Sequence, residues 1–350
     1  MTAGEPLHTE LPIIQAPMAG VQGSALAIAV SNAGGLGSLP CAMLSPDRMR
    51  AELRAIRAAT DRPFNVNFFC HTPPVPDVAR EDRWRAALAQ YYDEFGIDAA
   101  AISPAPARTP FSDEAADVLE EFPPPVVSFH FGLPRSALLA RVKALGCKIL
   151  GCATTVNEAL WLASQGVDAI IAQGAEAGGH RGMFLSEDIT TQIGTFALVP
   201  QIVNAVKIPV IAAGGIADGA GVRAALSLGA IAAQIGTAYL LCPEATTNSV
   251  HRSVLKSDAS RHTALTRLFS GRPARGIVNR LMRELGPMSE LAPSFPLASS
   301  ALAPLRAQAE SRGDGGFSPL WCGENATGCA EIPAAELTYI MADEWNHRPG

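Results

Sequence analysis

The decapeptide QGAEAGGHRG (173–182) places four glycines, one carboxylate, one histidine and one arginine directly behind an apolar run. Three kinds of chemistry fit those residue types. His180 has the titration range of a base at neutral pH and also donates or accepts hydrogen bonds. Arg181 carries a planar clamp suited to phosphate or carboxylate. The glycines alone would serve a plain tight turn. Glu176 and Arg181 also read as a local ion pair that shapes the loop. A second histidine, His130, closes the apolar run in VVSFHFG (126–132), with a satisfied polar residue near a loop as the plain alternative. His8, His71, His251, His262 and His347 have no comparable setting.

Two further stretches, AAGGIADGAG (212–221) and QIGTAYL (234–240), have the character of phosphate loops. Glycine lets bare backbone N–H groups approach phosphate oxygens, and the start of a helix adds the positive end of its dipole. Gly214, Gly215, Gly236 and Thr237 are the candidates. One such loop would be read as a strand-to-helix turn, whereas two in succession favour phosphate. The chain has no GxGxxG after its first strand and no GxxxxGK[ST], which disfavours dinucleotide and P-loop folds. A mononucleotide phosphate such as that of FMN fits. There is no CxxC or HExxH pair, so no metal site is expected. The seven cysteines are odd in number and scattered, as expected of reduced thiols in a cytosolic protein.

The elements that must position these residues alternate along the chain. Largely apolar strand-like runs occur at 11–17, 34–40, 63–69, 126–132, 148–154, 167–174, 209–215 and 232–240, and most are followed by a helical pattern. Apolar strands flanked by helices imply a parallel sheet covered on both faces, and eight of them close as a (β/α)8 TIM barrel of the α/β class. A doubly wound open sheet is the alternative. The pattern breaks over about 73–125, which reads as an insertion and not as a barrel unit. From 244 to about 313 no strands are evident, so a mostly helical cap or substrate domain over the barrel mouth is expected across 244–325. The barrel itself would span 1–243, with a C-terminal tail, 326–350, packed on it.

Composition narrows the function classes. Hydrophobic residues make up 48% and charged ones 17%, which marks a core-rich globule and not a disordered chain. A formal net charge of -6 argues against nonspecific nucleic-acid binding, which needs a basic face, although a pocket can still be locally basic. No apolar run approaches the ~20 residues of a membrane span. The start, MTAGEPLHTE, lacks a basic-then-apolar leader. A soluble, cytoplasmic enzyme is expected.

QAPMAGVQGSALAIAVSNAGGLGSLP, VVSFHFGLP, AQGAEAGGHRGMF, PVIAAGGIADG and QIGTAYL, followed by SGRPARGIVNRL and SFPLA, stand in the order found in nitronate monooxygenases, formerly 2-nitropropane dioxygenases. The chain resembles that family from residue 11 to about 321. SFHFGLP followed by GGHRGxF is similar to its class I members. The resemblance implies noncovalent FMN and oxidation of alkyl nitronates by O2 to a carbonyl compound and nitrite, with electrons passing singly to the flavin. Propionate 3-nitronate, a toxic metabolite, would be the expected substrate, and detoxification of nitro compounds the expected role. Motif by motif, the flavin contacts would be Ala16, Met18, Asn67, Gln173, Gly178, Gly179, Gly214, Gly215, Gln234, Gly236 and Thr237. Asn67 and Gln173 would offer amides to the ring edge or ribityl chain.

His180, cationic or hydrogen-bonding, would position the nitronate and act as a base only for neutral nitroalkanes, with His130 beside it. Arg272 or Arg275 in SGRPARG would attract a substrate carboxylate, against the alternative of a solvated basic turn. Phe295 stands in the SFPLA region, where some class I members carry tyrosines that line the substrate channel. The partners would be a small nitronate and O2, and the protein a monomer or homodimer. An NADH:quinone reductase or enoyl reductase on the same barrel is the competing reading, and a non-catalytic flavin-binding sensor a third.

Overall fold

The computed structural model describes residues 7–102 and 108–346. His347, and all but the last few residues of the start read above for a leader, lie outside the described residues. Among the described residues, no helix is long and apolar enough to cross a membrane.

The barrel begins β1 (Ile13–Gln15), α1 (Ser24–Asn32), β2 (Gly37–Pro40), α2 (Pro46–Ala59) and β3 (Phe64–Phe69). Helix α3 (Val78–Phe95) then leaves the barrel, and α4 (Asp113–Glu121) returns to it before β4 (Val126–His130), α5 (Ser136–Ala144), β5 (Lys148–Ala153), α6 (Val156–Ser164) and β6 (Ala169–Gln173). A two-residue strand, β7 (Gly179–His180), precedes α7 (Thr195–Ala205), β8 (Val210–Ala213), α8 (Gly219–Ser227) and β9 (Ala232–Ile235). Eight strands form one sheet in the order β1-β9-β8-β6-β5-β4-β3-β2, and all of its paired neighbours run parallel. Bonds from Leu36 N to Ile13 O (2.9 Å) and from Gln15 N to Leu36 O (3.0 Å) join its two edges and close the barrel.

Strand alternation explains why both faces read as apolar. Ile14, Val126, Leu150, Ile171 and Ile211 fill one cluster, whereas Ile13, Val127, Ile149, Ile170 and Ala212 belong to the cluster shared with the helices. Close helix contact needs glycine in places. A β-carbon at Gly37 would lie 1.9 Å from the Ala27 carbonyl oxygen, so α1 rests directly on β2. Ser45 accepts a hydrogen bond from Arg48 N and Pro46 occupies the first turn, which starts α2.

Two expectations are corrected. The segment 73–125 is not wholly an insertion, because α4 packs between α2 and α5 as an ordinary barrel helix. The proline-rich sequence around it hid that role. Helix α3 instead departs, crossing to the cap, where Trp84 Nε1 donates to Ala298 O (3.2 Å) and Tyr92 OH to Ala301 O (2.8 Å). The region after 244 is not free of strands either. After α9 (Ser249–Leu255) come β10 (Thr263–Thr266) and β11 (Ala274–Ile277), an antiparallel pair whose second strand also pairs with β7. Runs of four residues, the second with an arginine inside, carry too little periodicity to be read as strands.

Helices α10 (Arg280–Leu285) and α11 (Ala298–Ser311) complete the cap, whose own core includes Trp84, Tyr92, Leu281, Leu302, Leu305 and Phe317. The tail helix α12 (Ala334–Asn346) packs on α8 and α1. There Glu344 Oε2 accepts from Gly219 N (2.9 Å) at the start of α8.

Candidate active site

The carboxyl ends of the barrel strands open into a cavity lined by all eleven residues expected to hold a cofactor, together with His130 and His180. Arg272 and Phe295 stand behind its wall and do not line it. At one end the lining is almost bare backbone. Gly214 (φ 116°) and Gly215 (φ 73°) take the left-handed conformation that side chains resist. A β-carbon at Gly178 would lie 2.6 Å from Gly323 N, and one at Gly236 would project beside Ala16 Cβ at 3.4 Å and Met18 Sδ at 3.8 Å. Gly323 N donates to Thr237 Oγ1 (2.9 Å) and Asn325 Nδ2 to Gly215 O (3.1 Å), so the stretch after Trp321 clasps both glycine loops. Nothing in the sequence marked that stretch for the site. Gln234 Oε1 is buried and meets no donor among the described residues. A glycine cradle beside an acceptor that lacks an N–H or O–H fits a phosphate-bearing cofactor with a polar chain.

The loop after β6 is fixed from inside. Gln173 Nε2 donates to His180 O (3.0 Å), while its Oε1 accepts from Gly182 N (2.8 Å). The amide expected to face a cofactor is thus also committed to the loop. Arg181 is fully buried, and its guanidinium donates to Gly174 O (2.6 Å), Gln173 O (2.7 Å) and Gln192 Oε1 (2.9 Å). Glu176 instead accepts from Thr195 N (2.8 Å) and Thr195 Oγ1 (2.8 Å). The expected Glu176–Arg181 ion pair therefore does not form: each group finds hydrogen-bond partners within the fold on its own side of the loop. Burial lowers the Arg181 pKa to about 10, which still leaves it charged at neutral pH.

His180 sits on β7 opposite Ala274 of β11. Its Nε2 lies 2.8 Å from Ser270 Oγ, and its ring meets Phe295 and Trp321, each at 5.4 Å between centroids. His130 Nε2 faces the His180 carbonyl at 3.2 Å, an acceptor only, so that nitrogen carries the proton. Burial pushes the His130 pKa down to about 3. Burial also holds His180 well below its usual value, with Arg108 the next cause, then His130, Arg272 and His71. Burial therefore favours the neutral form of both rings over the cationic form expected of His180 as one option. Positive charge near the site belongs to the arginines.

The nitronate monooxygenase family model matches residues 3–342. The chain belongs to the nitronate monooxygenase family. It is 44% identical to the nitronate monooxygenase of Pseudomonas aeruginosa over 97% of both chains. The Paraburkholderia phytofirmans protein of that name is also 44% identical, over 97% of this chain and 93% of its own. Among solved structures, a nitroalkane oxidase from Streptomyces ansochromogenes superposes with a TM-score of 0.88 at 40% identity, covering 97% of this chain and 96% of that one. The chain is accordingly an enzyme on a TIM barrel.

Within this nitronate monooxygenase fold, the cap supplies what the barrel motifs could not announce. Ser270 partners His180 from the turn between β10 and β11. Of His71 and His251, both set aside on the sequence, one is at the site and the other lies behind its wall. His251 lines the cavity, and His71 lies edge-on to Phe295 at 4.8 Å. Arg275 is not in a solvated turn: it is buried on β11 and donates to Ala175 O (2.8 Å). Arg272 donates to Met183 O and covers the Phe131 ring at 4.1 Å.

Proposed function

We propose that this chain binds FMN noncovalently and oxidises alkyl nitronates, propionate 3-nitronate foremost, with O2 to a carbonyl compound and nitrite. The observation that carries the reading is the placement of His180, anchored by Ser270, on the same cavity as the Gly214–Gly215 and Gly236–Thr237 cradle. FMN, when bound, would supply one-electron acceptance from the nitronate and reoxidation by O2. The cradle would take its phosphate, and Gln234 Oε1 would accept from one of its N–H or O–H groups.

The chain's own work is at His180. The Ser270 hydroxyl can partner either neutral tautomer. When it donates to His180 Nε2, Nδ1–H is left to bond a nitronate oxygen and hold the anion. When Ser270 Oγ accepts from Nε2–H and turns its own proton to Arg272 O (3.3 Å), Nδ1 carries the lone pair that can take the α-proton of a neutral nitroalkane. The Phe69, Phe131, Phe295 and Trp321 rings pack around the imidazole.

The test is to purify the protein, identify and count the flavin released on denaturation, and follow O2 uptake and nitrite with propionate 3-nitronate. Equimolar FMN with nitrite release is expected. Flavin bleached by NADH alone under anaerobic conditions would point to a reductase. Flavin without nitrite release from any nitronate would point to a binding protein.

A further inference from the structure

A second cavity lies between the β2–α2 connection and α11, lined among others by Ser45, Phe111, Ser299, Arg306 and Glu310. Four residues, Met43, Arg108, Pro319 and Trp321, line both this cavity and the one that holds His180. Arg108 is the charged member of that shared wall. Its guanidinium lies 5.4 Å from the Phe295 ring centre, and the same ring lies 5.4 Å from the His180 ring. Phe295 therefore touches both groups.

The other arginines around the site have partners of their own, although Arg272 Nε is buried without one among the described residues. Arg181 is spent on Gln173 O, Gly174 O and Gln192, Arg272 on Met183 O and Phe131, and Arg275 on Ala175 O and Glu324. Arg306 pairs with Glu310 at 2.8 Å. Arg108 has no carboxylate partner among the described residues, although burial and the like charge of Arg306 both work against its protonated form. Its backbone is nevertheless held, because His71 Nε2 bonds Arg108 O at 3.0 Å. A guanidinium partly withdrawn from water without an acid carries a desolvation cost, and a carboxylate received there would offset it through two parallel N–H···O bonds.

We propose that Arg108, standing at the junction of the two cavities, is the residue that receives the second anionic group of the substrate, a carboxylate remote from the nitronate, and so sets preference for dianionic nitronates over simple alkyl ones. The second cavity is then the antechamber through which the dianion enters. His71 is a positioning residue that sets where Arg108 sits. This rests on nitronate oxidation as the reaction.

The test compares wild type, Arg108→Met and Arg108→Lys with propionate 3-nitronate and with propyl 1-nitronate, which lacks the carboxylate. The ratio of kcat/KM between the two substrates is expected to fall by about 10- to 100-fold in Arg108→Met, mostly through KM, and to recover in part in Arg108→Lys. Equal loss on both substrates, or no loss on either, overturns the proposal. Titration calorimetry with succinate, a stable dianion of similar length, against butyrate reads the same site without turnover. Succinate binding that weakens at least tenfold in Arg108→Met supports the assignment even if the wild type oxidises neither nitronate, the result that would sink the reaction itself. Succinate binding unchanged in Arg108→Met overturns the assignment even if nitrite is released.

Discussion

The imidazole of His180 reaches the hydroxyl of Ser270 across 2.8 Å, although 90 positions separate the two in the chain. One belongs to a barrel loop and the other to the cap. Removing the hydroxyl leaves Nε2 without its partner and frees the tautomer. Ser270→Ala is expected to lower kcat/KM for nitronate about three- to tenfold, the range of one neutral hydrogen bond, with flavin content unchanged. Nitrite release measured beside the flavin spectrum checks this. A parallel loss of flavin would show that Ser270 supports the fold and not the ring.

Gly236 offers a way to separate the proposed cofactor cradle from the fold. Its φ of -114° suits any residue, and an added β-carbon meets only Ala16 at 3.4 Å and Met18 at 3.8 Å. Gly236→Ala is therefore expected to change stability by no more than about 0.5 kcal/mol while placing a methyl group where a ligand's oxygens would approach the backbone. The expected result is a normal thermal midpoint for the apoprotein and a weaker FMN Kd by equilibrium titration. Unaltered FMN affinity would move the phosphate elsewhere.

Gly182 has no such room. A β-carbon there would fall 2.6 Å from Cys152 Sγ and 3.0 Å from His130 Cε1. Gly182→Ala should cost about 1–3 kcal/mol through overpacking and should displace His130 from the His180 carbonyl. Adding Cys152→Ala opens space on the sulfur side, and part of the lost thermal midpoint and nitrite release should return. A single variant that matches wild type in both would mean the loop has slack that these contacts do not show.

Acid should weaken the fold through the buried histidines. His130 and His251 are held down by burial to about 3 and about 4, and His180 lies well below its usual value. Above the unfolded value of about 6.5, both folded and unfolded chains carry these rings neutral, and stability does not depend on them. Below it the unfolded chain takes up protons that the folded one refuses, so stability falls as the pH drops from 6.5 toward those folded values, by up to about 1.4 kcal/mol per pH unit for each ring. Thermal midpoints at pH 7, 6 and 5 should decline with increasing steepness, less so in His251→Gln. A flat profile would place the charged forms of these rings in the folded state.

The barrel was legible because its signal repeats. Apolar runs ended by glycines, such as PVIAAGG (209–215), recur with helices between them, and each strand end advertises its loop. The residues expected to hold a cofactor came mostly with those strand ends and the loops behind them, and all of them reached one cavity. The cap was not legible because its pieces act only in combination. Arg275 looks like any basic residue in SGRPARG until β11 pairs with β7. Ser270 and His71 carry no local signature, since their partners, His180 and the Arg108 carbonyl, lie far off in sequence. The Glu176–Arg181 pairing failed for the opposite reason. Proximity in sequence promised an ion pair, but buried carbonyls and the Thr195 amide and hydroxyl claimed each group first.

The ladder that joins β10, β11 and β7 also makes the orientation of His180 a matter of register. Side chains alternate between the two faces of a strand, so a slip of one residue in the pairing of Ala274 with His180 would turn the imidazole away from the cavity without breaking a single motif. Insertions or deletions in the hairpin turn between Thr266 and Ala274 should then silence the enzyme while leaving the barrel and its glycine loops whole. The cap works as a key that sets the facing of one barrel residue, which ties the spacing of the two arms together as tightly as the residue types at the site.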